Sequence, residues 1–176
     1  MATPTATAQG YVDEVMVILR DPNLKGDAHT KAKKDKVFEV ISKAFDFKAL
    51  SQRTLPQRWK TLSTEDQEVF VQLLTKLLAK IYIDKLLQYN DQEIVISKEK
   101  MPGNNSAEVH TLVVSKVNEI PIVYHMMPKG EEWKVYDVII EVASLVSNYR
   151  AQFDQYLIKN TFPNLLDELR RKTANE

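Results

Sequence analysis

The chain has 176 residues, 24 Lys+Arg balanced by 24 Asp+Glu, and no cysteine. That length suits one domain with a real core, and 44% hydrophobic residues with only 4 glycines exclude a disordered or collagen-like chain. The even charge argues against a dedicated nucleic-acid binder, and the missing cysteines exclude a disulfide framework, a thiolate metal site and a cysteine nucleophile.

Met1 to Gly10 lacks the basic start and apolar centre of a secretory signal. It is small, polar and rich in Thr and Ala, so residues 1–9 are expected to be a flexible lead. A start codon set before an already trimmed mature protein would give such an opening. No stretch reaches the roughly 18 uninterrupted apolar residues of a spanning helix. Residues 10–176 are expected to form a single domain, with a helical lobe over about 10–90 and a sheet with C-terminal helices over about 91–176.

Val12, Val15, Met16 and Leu19 recur at helical spacing and predict a helix from about Gln9 to Arg20, ended by Asp21-Pro22-Asn23. After Gly26, Asp27 is a candidate N-cap for a second helix whose apolar face is Val37, Phe38, Ile41, Ala44 and Phe45. The basic run Lys31 to Lys36 reads as its solvated face. Phe45 to Trp59 predicts a short helix, a turn at Pro56 and an anchoring tryptophan. Thr64 with Gln67 three residues on has the pattern of a capping box, opening the longest helix, from Glu65 to about Tyr89 and about 35 Å long.

The period then changes. Glu93–Met101, Ala107–Val117, Glu119–Met127 and Glu132–Glu141 are rich in Val, Ile and Tyr and are separated by turn residues, which predicts a four-stranded antiparallel meander. The last strand is apolar on both faces, so both faces of the sheet are expected to need cover there. Val142 to Leu157 returns to helical spacing, and Leu165, Leu166 and Leu169 mark a terminal helix. The fold class is α+β: a twisted four-stranded antiparallel sheet covered by about six or seven helices, with an apolar pocket between the layers.

Signals of catalysis are weak. The chain has no glycine-rich phosphate loop, no H-E-x-x-H and no G-x-S-x-G. His110 and His125 sit on different strands, and a metal site there lacks a third ligand. Asp137, an acid on an otherwise apolar strand, has two readings: a general base in a greasy pocket, or a structural carboxylate accepting hydrogen bonds from backbone or tyrosine, which is the favoured one. Glu141 is a candidate helix cap or partner of Arg150. No catalytic residue, metal or cofactor is expected.

Two blocks carry a resemblance. FDFKALSQRTLPQRWKTLSTEDQEVFVQLLTKLLAKIYIDKLLQY and IPIVYHMMPKGEEWKVYDVIIEVASLVSNYRAQF agree in order and spacing with a known family. The second holds Pro121, Val123, Tyr124, Gly130, Trp133, Val135, Tyr136, Asp137, Val138, Ser144, Leu145, Asn148, Tyr149, Arg150 and Phe153. The chain resembles, from roughly Tyr11 to Leu169, the periplasmic phospholipid-binding proteins of the Mla and toluene-tolerance systems. It departs from them at Pro56, where glycine is usual, and at Val142-Ala143, where many have glycine-valine.

The resemblance implies a non-enzymatic periplasmic carrier, a monomer, with a deep apolar pocket for acyl chains. It implies phospholipid as cargo and two partners: an inner-membrane ABC transporter with a lipid-binding ring, and an outer-membrane lipoprotein–porin complex. A carrier of hopanoids or other hydrophobic ligands, and a small pocket enzyme using Asp137, are the alternatives. The expected lining is Leu74, Leu78, Ile81 and Tyr82 from the long helix, Val113, Ile122, Tyr124, Met126 and Val135 from the sheet, and Leu145 and Tyr149 from the tail. Trp59 and Trp133 are read as structural anchors.

Overall fold

The computed structural model describes residues 1–88 and 92–174. The expected end of the long helix at Tyr89 and the lobe boundary at 90/91 fall at or beside residues outside this set. Within it lie six α-helices, three short 3₁₀ turns and one antiparallel sheet in the order β1-β2-β3-β4-β5. Among the described residues no helix is long and apolar enough to cross a membrane.

Helix α1 (Pro4–Leu19) starts well before the expected Gln9. Thr3 caps it by accepting from the Ala6 amide at 3.0 Å, and Pro4 occupies the first turn, where a missing N–H costs nothing. Residues 4–9 are therefore part of the fold. Ala8 is buried against Ala107, Val109, Met126, Trp133, Val135 and Val138. Thr5 ties the same turn to β1 (Glu93–Gly103), its amide and hydroxyl donating to Glu99 at 2.9 and 2.8 Å.

Asp27 opens a 3₁₀ turn, Asp27–His29, which leads into α2 (Thr30–Ala44). After α3 (Phe47–Thr54), the chain turns through Pro56 to bury Trp59. The cap of α4 (Thr64–Leu86) is Ser63, not Thr64, accepting from the Asp66 amide at 3.1 Å. Gln67 closes no capping box. Its side-chain Nε2 donates to the Trp59 carbonyl at 2.9 Å and fastens the turn instead.

Strands β2 (Ser106–Val114), β3 (Glu119–Lys129) and β4 (Glu132–Ile140) complete the expected meander. The sheet has five strands rather than four. The fifth is the pair Ala143–Ser144, which folds back on Ile139 and Ile140 through Glu141, whose φ is 60°. Val142 at this reversal is exposed. Helices α5 (Leu145–Lys159) and α6 (Phe162–Thr173) follow.

Two hydrophobic cores result. The larger joins α3, α4, α5 and α6 around Phe70, which meets Phe153 edge-on at 5.6 Å. The smaller lies between α1 and the inner sheet face, around Val109, Met126 and Trp133. Helices do not cover both sheet faces equally. Outward side chains such as Leu112, Val114, Val123 and Ile139 are half-buried, and on that side Arg53 lies 4.4 Å from the Tyr136 ring.

Candidate functional site

Between the inner sheet face, α1, α2 and α4 lies a cavity of about 320 Å³. Helix α1 contributes Ala8, Tyr11, Val12 and Val15, while α2 and the start of α3 contribute Val40, Ile41, Ala44, Phe45 and Phe47. Leu78, Ala79, Tyr82, Lys85 and Leu86 come from α4. The strands contribute Ile94, Val113, Ile120, Ile122, Tyr124, Met126, Val135, Val138 and Ile140, with Glu141 and Leu145 beyond.

A hollow survives here because side chains are short where helices approach the sheet. Ala8, Ala44 and Ala79 stand at positions where larger residues would close the space, and interiors normally leave few voids larger than a water molecule. Phe45 and Phe47 stack at 5.2 Å and form one wall. The backbone supports this corner: the Asp46 amide donates to the Val135 carbonyl at 2.9 Å, and Asp46 caps α3 through the Ala49 amide at 3.0 Å.

Among the described residues the only charged ones of the lining are Lys85 and Glu141, both exposed, so the cavity meets solvent beside them. The Lys85 ammonium sits 5.3 Å from the Tyr82 ring centroid. The rest of the wall is almost wholly apolar and offers nothing that would hold a charged group in the interior.

Of the expected lining residues, Leu78, Tyr82, Val113, Ile122, Tyr124, Met126, Val135 and Leu145 are on this wall. Leu74, Ile81 and Tyr149 are not. They pack into the helical core: α4 is apolar on two sides and turns Leu74 and Ile81 toward its helical neighbours, and Tyr149 joins them from α5. The sequence reading missed the α1 residues, the alanines, and Phe45 and Phe47. Thr3-Pro4 is a helix-start signal that would have extended the expected helix back to Pro4 and brought Ala8 into it.

Asp137 does not line the cavity. Its Oδ1 accepts from the amides of Val138 at 2.8 Å and Val146 at 3.0 Å, and its Oδ2 accepts from the Ser144 hydroxyl at 2.5 Å. The donors are backbone and serine, with no tyrosine among them. Glu141 neither caps α5 nor pairs with Arg150: Ser144 is the cap, and Arg150 Nε donates to the Arg53 carbonyl at 3.0 Å. In the strand register His110 faces Val123 and His125 faces Glu108, so the two histidines are not directly opposite. Among the described residues no group of three His, Cys, Asp or Glu is placed to hold a metal ion.

Burial pushes the phenol of Tyr124 up to about 12; for Tyr149 burial and then nearby Tyr82 do the same, also to about 12. An unfolded tyrosine titrates near 10, so above that pH the unfolded chain releases protons that the folded chain keeps. Stability from this source is fully present below pH 10 and is expected to fall between pH 10 and 12. Alkaline unfolding followed by circular dichroism checks this, and Tyr124→Phe should flatten the decline.

A family model described as MlaC protein matches residues 9–171, more than nine-tenths of the chain. A toluene tolerance protein, ttg2D, from Pseudomonas putida is 24% identical over 160 residues, covering 90% of this chain and 74% of that protein. The intermembrane phospholipid transport system binding protein MlaC of Haemophilus influenzae is 26% identical over 127 residues, covering 69% of this chain and 59% of that one. The solved structure of a phospholipid-binding protein from Ralstonia solanacearum, in complex with a phospholipid, aligns with a TM-score of 0.85. That pair is 23% identical and the alignment covers 98% of each chain, a likeness that establishes the fold.

Proposed function

The chain belongs to the MlaC protein family, and from that premise we propose that it is a phospholipid carrier that shelters acyl chains in the cavity beneath α1. The observation that carries this reading is the apolar hollow itself, about 320 Å³ with charge only where it meets solvent. Relatives named for phospholipid transport and toluene tolerance support it.

Two acyl chains with about 30 methylenes resist transfer to water by roughly 24 kcal/mol, at about 0.8 kcal/mol for each methylene. Free passage of such a lipid through water is prohibitive. A wall of Val, Ile, Leu and Phe offers surroundings close to those of a bilayer, so lipid enters and also leaves. The head group stays near water beside Lys85 and Glu141. No covalent step is needed, and Asp137, the acid considered as a base, is engaged by three structural hydrogen bonds.

In this reading the carrier works in the periplasm. It exchanges lipid with an inner-membrane ABC transporter bearing a lipid-binding ring and with an outer-membrane lipoprotein–porin complex. Organic extraction of protein freshly isolated from its own envelope should release phospholipid, identified by mass spectrometry. Delipidated protein should reload from phospholipid vesicles. Protein that yields no lipid and takes none up would sink the carrier reading in favour of an adaptor with a closed cavity.

A further inference from the structure

Strand β3 lines the cavity with every second residue: Ile120, Ile122, Tyr124 and Met126. These four mark depth. The charged rim lies at the Ile120 end, where the Glu141 amide donates to the Pro121 carbonyl at 2.8 Å and Ile140 pairs with Ile122. The other end closes on Met126, which is fully buried. Tyr124 is one inward step past Ile122, about 7 Å along the strand.

The Tyr124 hydroxyl has no hydrogen-bond partner among the described residues, and the wall around it is apolar. Two other tyrosines have one, Tyr11 donating to the Lys43 carbonyl and Tyr156 to the Asn164 carbonyl, both at 3.3 Å. Tyr82, the cavity tyrosine beside the exposed Lys85, shares with Tyr124 the lack of a partner among the described residues. A donor left unpaired in an apolar space is costly. A purely hydrocarbon tail would leave it unpaired, whereas an oxygen acceptor carried by the cargo at that depth would satisfy it.

A phospholipid whose phosphate stays at the charged rim places its glycerol ester groups just inside. We propose that Tyr124 donates a hydrogen bond to an acyl-ester carbonyl of the cargo, so that the cavity selects ester-linked lipids over ether-linked or hydrocarbon ligands of the same shape. This rests on the carrier reading and sharpens it to a substrate class.

The test offers delipidated protein vesicles containing equal amounts of diacyl and dialkyl-ether phosphatidylethanolamine with matched chains. Protein is re-isolated and its bound lipids are quantified by mass spectrometry. Wild-type protein should prefer the ester lipid by about tenfold, the worth of one hydrogen bond made inside the lipid-filled cavity. Tyr124→Phe should load both lipids alike, while Tyr136→Phe, outside the cavity, keeps the preference. Loading of both lipids without preference by the wild-type protein overturns the proposal, as does a preference that survives in Tyr124→Phe. Equal loss of affinity for both lipids in Tyr124→Phe would move the contact to the phosphate and also overturn it. Uptake of neither lipid by the wild-type protein is a separate result, which sinks the carrier reading and this proposal with it.

Discussion

Ala79→Trp is expected to reduce phospholipid loading on the order of a hundredfold while leaving the protein folded. Ala79 sits on α4 between Leu78 and Tyr82 and lines the cavity. An indole there grows into unfilled space rather than into packed neighbours, so the usual penalty of overpacking does not arise. Displacing about four methylenes of cargo costs roughly 3 kcal/mol, which is the stated loss in affinity. Gln72→Trp, exposed on the same helix, is the control for a tryptophan that cannot reach the cavity. Stability has to be compared after delipidation, because bound lipid stabilises only the variant that can hold it. In that comparison the Ala79→Trp protein should melt at or above the wild-type temperature. Full loading of a folded Ala79→Trp protein would place the lipid somewhere else.

The sheet was readable in the sequence because a strand declares its faces by parity. Val109, Thr111 and Val113 alternate with His110, Leu112 and Val114, and the first set is the buried one. Parity also puts Ile122, Tyr124 and Met126 on one shared face, but with both faces apolar it does not say which one meets the cavity; the folded sheet makes it this one. Helix α4 shows why the helical side was less legible. Its apolar residues go almost all the way round, and periodicity says which residues avoid water without saying which neighbour they meet. Leu78 and Tyr82 face the cavity, while Leu74 and Ile81 face the helical core.

The hollow itself leaves the weakest trace in the sequence. It depends on what is absent from Ala8, Ala44 and Ala79, and an alanine in a sequence reads as a minor core residue or as a helix former. The start of helix α1, before the expected Gln9, escaped notice for the same reason. Its first two turns hold no large apolar side chain, and Ala8 earns its place by letting the helix sit close to Val109 and Met126. The fifth strand is two residues long, too short for any alternation to show, and depends on a reversal at Glu141 that only the folded backbone displays.

Asp137→Ala should destabilise the protein by about 3 kcal/mol, since it strands two buried amides and a hydroxyl that each lose a charged acceptor. The carboxylate joins three elements. It holds its own strand through Val138, the short β5 through Ser144, and the first turn of α5 through Val146, where the helix dipole also favours negative charge. For a chain of this size the loss corresponds to a fall in Tm of about 10 °C. Asp137→Asn should cost less, about 1 kcal/mol, because one amide oxygen can still accept from both backbone N–H groups. The Asn amide nitrogen then faces Ser144, whose oxygen can accept from it as well as from the Ser147 amide at 3.1 Å, but whose O–H loses the Oδ2 acceptor. Thermal melts of both variants measure the difference. Lipid loading per folded molecule should be unchanged in both, because the carboxylate lies outside the cavity wall. A stable Asp137→Asn protein that lost turnover of some substrate would instead revive the acid as a base, and equal stability of both variants with the wild type would show that these three bonds do not hold β4 to α5.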